Sequence, residues 1–328
     1  MNFAELFSKF SSVKVAIVGD LMLDTYWWGN VDRISPEAPV PVVVLKRKEL
    51  RVGGAANVAL NSVSLGANTT VISVIGNDDD GKELLRLLKE NKIDTSYVIA
   101  SNQRITTTKT RVMSRNQQMM RLDAETTADI DKASEDLLLQ KIKDYFNANK
   151  PDVLIFEDYN KGILTERVIT ELIKLCKEQN VVTSVDPKRK NFLSFKGVTI
   201  FKPNLKEIKE GLNLLTDNID VPSLKEMHKK LQEHLQHQIS FITLSEKGVF
   251  YQQDNDQHLI PTHIRNIADV SGAGDTVIAV ASLVYTITKN MNLAAEMANI
   301  AGGLVCEEVG TAAIDKEKLL HECELLLK

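Results

Sequence analysis

Short apolar, β-rich runs recur along the chain and alternate with stretches of helical period. The first, "VKVAIVGD" (13–20), is apolar almost throughout and ends in Gly-Asp, the pattern of a strand buried on both faces. Comparable runs lie at 69–76, 152–158, 181–186, 198–204 and 239–245. Between them, 53–66, 80–91, 164–179 and 223–236 space their apolar residues as helices do. Segment 275–289 is apolar nearly all round, which predicts a buried helix, and another helix is expected over 292–308. Strand alternating with helix predicts an α/β fold, a mainly parallel sheet covered on both faces.

Two stretches, 24–50 and 104–123, break this rhythm: they are rich in β-branched and aromatic residues and have no helical period. Pro36, Pro39 and Pro41 also suit an edge or a loop better than a central strand. These stretches are expected to form a small separate sheet, a lid over one end of the α/β core. No repeat, low-complexity tract or Pro/Gly linker divides the chain, so one domain is expected over 1–328. Trp27, Trp28, Val42 and Val44 would leave apolar edges on a solitary lid, which predicts a homodimer paired through it.

Composition narrows the partners. At 328 residues the chain has ample length for a large core, and its 43% hydrophobic and 26% charged residues are those of a globular protein. A net charge of −4 argues against a general nucleic-acid or anionic-membrane surface, so any phosphate site must be local. Cys176, Cys306 and Cys323 form no metal-ligand pattern and read as reduced, buried thiols. The N-terminus lacks the apolar core of a signal peptide, and no apolar run approaches the roughly 20 residues of a membrane span. A cytoplasmic location is expected.

The chemistry concentrates in "DVSGAGDT" (269–276). Gly272, Ala273 and Gly274 allow backbone N–H groups to approach a ligand closely, and they feed the expected helix. Its aligned amides and dipole would make an anion hole suited to a transferring phosphoryl group. Asp275 then has two compatible readings, an N-terminal cap or a general base taking a proton from an attacking hydroxyl. A P-loop would need a Lys-Ser/Thr pair that is missing, and "GAGDTV" ends in Val277 where a dinucleotide fingerprint has glycine.

Here the chain resembles a known family. "DVSGAGDT" is similar to the anion-hole signature of the ribokinase-like (PfkB) carbohydrate kinases, and "GGAANVALNSVSLGA" (53–67) to their other signature. "GDLMLDTYWWGNVDRISPEAPVPVV", "RNQQMMRLD", "EDYNKG" and "DPK" resemble the kinase module of bacterial heptose-7-phosphate kinases of lipopolysaccharide synthesis. The resemblance implies a ribokinase-like sandwich that moves the γ-phosphoryl of ATP to a sugar hydroxyl. It also implies that related lids pair as a clasp.

The resemblance assigns roles that the residues alone leave open. Asp24 reads as a loop cap or, by resemblance, as a carboxylate on sugar hydroxyls; Gly53, Gly54 and Asn57 read as a helix start or as sugar contacts. Asn204 and Glu207 have capping-box spacing, and in the family this pair orders Mg²⁺ and its waters near the ATP phosphates. Ser245 and Gly248 resemble the nucleotide loop, and Asn299 stands where the adenine or ribose is approached. Asp269 and 309–311 lie where related kinases shape a monovalent-cation site, such as one for K⁺, although Ser271 replaces the usual threonine.

Arg115, Asn116, Gln117, Lys161, Lys188 and Arg189 read singly as solvated polar residues and together as a site for a phosphate already on the sugar. A neutral sugar would leave these cations without a partner. The acceptor that the resemblance implies, D-glycero-D-manno-heptose 7-phosphate converted to the 1,7-bisphosphate, carries such a phosphate and is the expected one. Another sugar or nucleoside kinase of the same family, or a catalytically silent sugar-binding protein, stand as alternatives. His228, His234, His237, His258, His263 and His321 never form the H-x-G-H spacing of the nucleotidyltransferase that often accompanies this subgroup.

Overall fold

The computed structural model of the protein describes residues 2–115, 117–215 and 219–327. The first half of the chain forms α1 (Phe3–Lys9), β1 (Lys14–Gly19), β2 (Leu21–Ile34), β3 (Pro41–Gly54), α2 (Ala55–Ser64), β4 (Asn68–Gly76), α3 (Asp79–Glu90), β5 (Asp94–Ser101), β6 (Thr107–Ser114), β7 (Gln117–Ala124) and α4 (Lys132–Ala148). The second half forms β8 (Val153–Glu157), α5 (Glu166–Glu178), β9 (Val182–Asp186), β10 (Ile200–Phe201), α6 (Leu205–Gly211), α7 (Val221–Leu235), β11 (Ile239–Thr243), β12 (Val249–Gln253), β13 (Asp256–Ile260), α8 (Ala273–Thr288), α9 (Met291–Val305) and α10 (Lys316–Leu326).

Nine strands make the main sheet, in the order β13-β12-β11-β10-β9-β8-β1-β4-β5. Pairing is parallel from β5 through to β11, and β12 and β13 add an antiparallel hairpin at one edge. β1 shows why the strands read as unbroken apolar runs. Val15 and Ile17 pack into the layer of α1, α2, α3, α8, α9 and α10, whereas Ala16 and Val18 pack into the layer of α4, α5, α6 and α7. With both faces covered, the two-residue period leaves no polar trace. The expected α/β sandwich is the observed one.

The lid is a second sheet of four strands, β3-β2-β6-β7, in which β2 and β6 run parallel and the other pairs antiparallel. The expected apolar edges need correction. Trp27 and Trp28 lie in β2, an interior strand, and are half-buried beneath Lys48 and Arg47, whose charged ends stand 4.9 and 5.0 Å from the ring centres. Val42 is also half-buried. Exposed apolar residues include Val44 and Leu45 on β3 and Met119, Met120 and Leu122 on β7, the two outer strands, and Ile34 at the end of β2.

Other departures are local. The strand expected over 198–204 is only Ile200–Phe201, because Pro203 has no N–H for the ladder; pairing resumes only as an isolated bridge from Asn204 to Thr243, where Asn204 also caps α6. β5, β12, β13, α4 and α10 had no clear pattern; β5, for instance, is a half-buried edge strand whose apolar positions are diluted. All three cysteines are buried and free. No helix among the described residues is long and apolar enough to cross a membrane.

The parallel register sets the site. Gly19 pairs with Glu157 and Glu157 with Asp186, so the carboxyl ends of β1, β8 and β9 emerge side by side, where open α/β sheets bind ligands. Asp20, directly after β1, is buried and anchors the loop after β8. Its Oδ2 accepts the amides of Tyr159 (2.7 Å) and Lys161 (3.0 Å), and its Oδ1 accepts that of Ile163 (3.3 Å). Burial pushes the Asp20 carboxyl up, against the pull of these three hydrogen bonds.

Candidate active site

Helix α8 starts at the glycine loop. Gly272 is its N-cap, in the left-handed region at φ +79°, and a Cβ there would stand 2.6 Å from Asn57 Nδ2. Glycine satisfies both the backbone turn and the close approach. The first-turn amides have no intrahelical acceptors, which leaves donors and the positive end of the dipole facing the carboxyl edge of the sheet. Gly274 lies in that turn beside Asp186 and Lys202, whose Oδ2 and Nζ are paired at 2.7 Å.

Asp275 is not a cap. No side chain caps α8, and both Asp275 oxygens turn inward: Oδ2 accepts Asn57 Nδ2 at 2.7 Å, and Oδ1 accepts the Tyr159 hydroxyl at 2.8 Å. The carboxyl is buried, and that burial pushes its pKa from the ordinary 3.8 to about 6, against the two hydrogen bonds. Each oxygen retains a second lone pair, so the group can still accept a proton from a hydroxyl in front of it. A carboxylate fixed in orientation and titrating near neutrality is suited to general-base work.

Around it lies a charge cluster. Asp186 meets Lys202 directly and stands 3.8 Å from Lys188 Nζ, and Lys188 also pairs with Glu207. Burial opposes the positive charge of Lys188 and Lys202, but Asp186 and Glu207 outweigh it and hold both ammonium pKa values up. Glu157, at the end of β8, is fully buried, and neither carboxyl oxygen is hydrogen-bonded among the described residues. Burial, then the charges of Asp186 and Asp275, push its carboxyl well above the usual range, toward the neutral form.

On the lid side, Asp24 is buried within β2 rather than capping a loop, and its Oδ1 accepts Arg111 Nη1 at 2.7 Å. Gly53 and Gly54 end β3 opposite Met22 and Leu21, and α2 follows at once, which brings Asn57 to Asp275. Lys161 pairs with Glu125 at 2.8 Å. The cations expected to await a phosphate are therefore partly satisfied: Lys161 and Lys188 already have carboxylate partners. Arg115 and Gln117 are exposed at the β6–β7 turn, Arg189 is exposed after β9, and Asn116 lies outside the described residues.

Lys109 on β6 is different. It is half-buried, makes no ion pair among the described residues, and lies 5.8 Å from the centre of the Tyr159 ring, which Lys188 also approaches at 5.3 Å. Burial, followed by the charges of Lys161 and Arg121, pushes its pKa down. An anion placed there would relieve that repulsion.

Across the site lie the residues expected to meet the nucleotide. Ser245 and Gly248 bracket the turn after β11. Thr262 Oγ1 donates to Glu246 O (2.7 Å) and Asn299 Nδ2 to Pro261 O (2.8 Å), so this turn, the segment after β13 and α9 are held together. Asn204 and Glu207 form a complete capping box at the start of α6, at 2.8 and 2.9 Å. Asp269 accepts Ser271 N, Ser271 Oγ and Gly310 N, each at 2.9 Å; burial opposes its charge, but these bonds hold the carboxyl low.

Sequence reasoning missed Tyr159, Asp186, Lys202, Glu157, Lys109 and Arg111. Tyr159 and Asp186 lie inside the quoted "EDYNKG" and "DPK" stretches, so their motifs were visible and their contacts were not. Lys109 and Arg111 look in sequence like ordinary lid charges.

Fold and site together define an ATP-dependent carbohydrate kinase with a ribokinase-like fold. The chain belongs to the pfkB carbohydrate kinases, described as "pfkB family carbohydrate kinase", whose family model matches residues 12–318. Among curated proteins it is 36% identical to the bifunctional protein HldE of Syntrophotalea carbinolica over 98% of this chain and 65% of that protein. It is 39% identical to HldE of Aliarcobacter butzleri over 93% of this chain and 63% of that protein. The chain thus spans somewhat less than two thirds of these relatives. Among solved structures, phosphofructokinase-2 from Escherichia coli in complex with potassium superposes with a TM-score of 0.79 at 16% identity, over 95% of this chain and 99% of that one. Arabidopsis thaliana ribokinase complexed with ribose and ATP gives 0.72 at 16% identity, over 94% and 98%. These matches bear out the family and the subgroup expected from the motifs.

The raised pKa of Asp275 has a kinetic consequence. A base must be unprotonated to act, so kcat/KM should be level above pH 7 and fall about tenfold per unit below the carboxyl's value of about 6. A pH–rate profile checks this, and a profile flat down to pH 5 would remove Asp275 from that role.

Proposed function

We propose that the protein phosphorylates a sugar that already carries a phosphate, D-glycero-D-manno-heptose 7-phosphate, to give the 1,7-bisphosphate. The buried Asp275, fixed by Asn57 and Tyr159 in the first turn of α8, carries the chemical part of this reading. The acceptor hydroxyl gives its proton to Asp275 as its oxygen forms a bond to the γ-phosphorus of ATP. The bond from that phosphorus to the β–γ bridging oxygen breaks, and its electron pair leaves with ADP. Charge on the three equatorial oxygens is met by the amides of Gly272–Gly274 and by the helix dipole.

Asp24, Gly53, Gly54 and Asn57 line the acceptor side in this reading, and Ser245, Gly248 and Asn299 the nucleotide side. Asn204, Glu207 and Asp186 offer hard oxygen donors, but Glu207 is already engaged by Lys188 and by the capping box. That set fits Mg²⁺ held largely through water, the usual way with this ion. Bound there, Mg²⁺ would neutralise charge on the phosphates of ATP.

The substrate reading rests on Lys109. A half-buried ammonium beside Lys161, near the Tyr159 ring and with no ion pair among the described residues, though Asp123 and Glu125 act on it from farther off, suits a phosphate monoester better than a hydroxyl. The motifs that resemble heptose-7-phosphate kinases of lipopolysaccharide synthesis support the same choice of sugar and a place in making that precursor, in the cytoplasm. A panel of sugars and nucleosides tests it: kcat/KM should be much higher for heptose 7-phosphate than for free heptose, ribose, fructose or adenosine. Lys109→Met should lower only the phosphorylated sugar's kcat/KM, by about 10- to 150-fold, the size of one lost charge-assisted contact. Equal use of free and phosphorylated sugars would overturn the substrate and leave the kinase standing.

We further propose that two chains pair through their lids. Val44 is 52% and Met120 53% exposed on the outer strands, an apolar surface a solitary lid would leave in water. Light scattering at micromolar concentration should give the mass of a dimer; a monomer there contradicts the pairing.

A further inference from the structure

One lid side chain reaches the loop that braces the anion hole. Arg51, near the end of β3, donates through Nη1 to the carbonyls of Val309 (2.8 Å) and Thr311 (3.0 Å). Its Nε and Nη2 meet Glu49 Oε1 at 2.7 and 2.6 Å, and Glu49 Oε2 accepts Trp28 Nε1 at 3.1 Å. The guanidinium lies 5.1 Å from the centre of the Tyr26 ring, and the Tyr26 hydroxyl accepts the amide of Thr311 at 3.3 Å. Between these two carbonyls, Gly310 turns its amide to Asp269 Oδ2, and Asp269 Oδ1 holds Ser271, the residue before Gly272. A continuous set of contacts thus runs from the lid through 309–311 and Asp269 to the start of α8. Gly310 has φ +77°, and a Cβ there would stand 2.6 Å from the Tyr26 hydroxyl and 2.9 Å from Arg51 Nη1.

The same loop is where a monovalent cation was expected, and the residues do not fit one. Two carbonyls that would have to turn to an ion are taken by the guanidinium. Asp269 is occupied by three donors, and the charge of Arg111 also acts on it. A free cation would enter against fixed positive charge at a loop whose Val309 and Thr311 carbonyls already accept from the guanidinium, although the buried Thr311 Oγ1 has no hydrogen-bond partner among the described residues.

We propose that Arg51 is a positioning residue of the anion hole, its guanidinium serving the 309–311 loop as a fixed cation, so that this kinase works without K⁺. The proposal rests on the kinase reading, and the test separates the two. Turnover of ATP with whichever panel sugar is accepted is measured in potassium, sodium or choline chloride at equal ionic strength. Binding of a non-hydrolysable ATP analogue is followed by calorimetry in the same salts and needs no sugar. Parent kcat and analogue affinity should vary less than about threefold across the salts. Arg51→Met should lower kcat by roughly 10- to 100-fold, as misplacement of a transition-state site does, with the sugar KM within a few-fold. Guanidinium or K⁺ at millimolar concentration should restore several-fold of that loss, and Arg51→Lys should retain most activity.

Activation of the parent by K⁺ beyond threefold overturns the proposal. So does a folded Arg51→Met with parental kcat, or one whose loss neither ion restores. Should Arg51→Met fail to fold, as read by its Tm, Arg51→Lys and the parent's salt series decide in the same terms. No turnover with any sugar, alongside salt-independent analogue binding, would count against the kinase reading and not against this one.

Discussion

Three buried carboxyls, Asp275, Asp186 and Glu157, crowd the carboxyl ends of the central strands, and the site is arranged around containing their mutual repulsion. Lys202 and Lys188 answer Asp186; Glu157 has no hydrogen-bond donor among the described residues, and its carboxyl is pushed toward the neutral form; Asp275 is left with Asn57 and the Tyr159 hydroxyl. Hydrogen bonds favour the charged form less than two cations would, so burial wins and the carboxyl titrates near pH 6. The arrangement that makes Asp275 costly to ionise is what would suit it, in the proposed role, to take a proton at neutral pH.

The elements that hold this group come from distant parts of the chain. Asn57 arrives because α2 starts immediately after β3, and Tyr159 because Asp20 gathers the amides of the loop after β8. The helix start itself is braced through Asp269 and the 309–311 loop by a residue of the lid. The lid thus touches the loop that braces the start of α8, so its position and the geometry of the glycine loop are linked.

Much of this was legible in the sequence, for reasons specific to each part. Strands buried on both faces give long apolar runs, so β1, β4, β8, β9 and β11 could be read, whereas the edge strand β5 could not. The glycine loop and Asp275 stood out because small residues before a buried helix have few other uses. Setting the cap aside needed the structure, since a cap and a base would both place an acid in the first turn. Lys109, Arg51 and Tyr159 were illegible because their meaning lies in contacts across the chain: Arg51 meets a loop 258 residues away, and Tyr159 a carboxylate 116 residues away. That Lys161 and Lys188 already pair with carboxylates could not be read either, since Glu125 and Glu207 are brought to them by the fold.

Replacement of the buried base alone tests the central claim most directly. Asp275→Asn keeps the shape and a hydrogen-bonding side chain but removes proton acceptance. With the best acceptor, kcat should fall by roughly 10²–10⁴-fold, while Tm and binding of an ATP analogue stay close to those of the parent. Turnover within a few-fold of the parent enzyme would contradict the account.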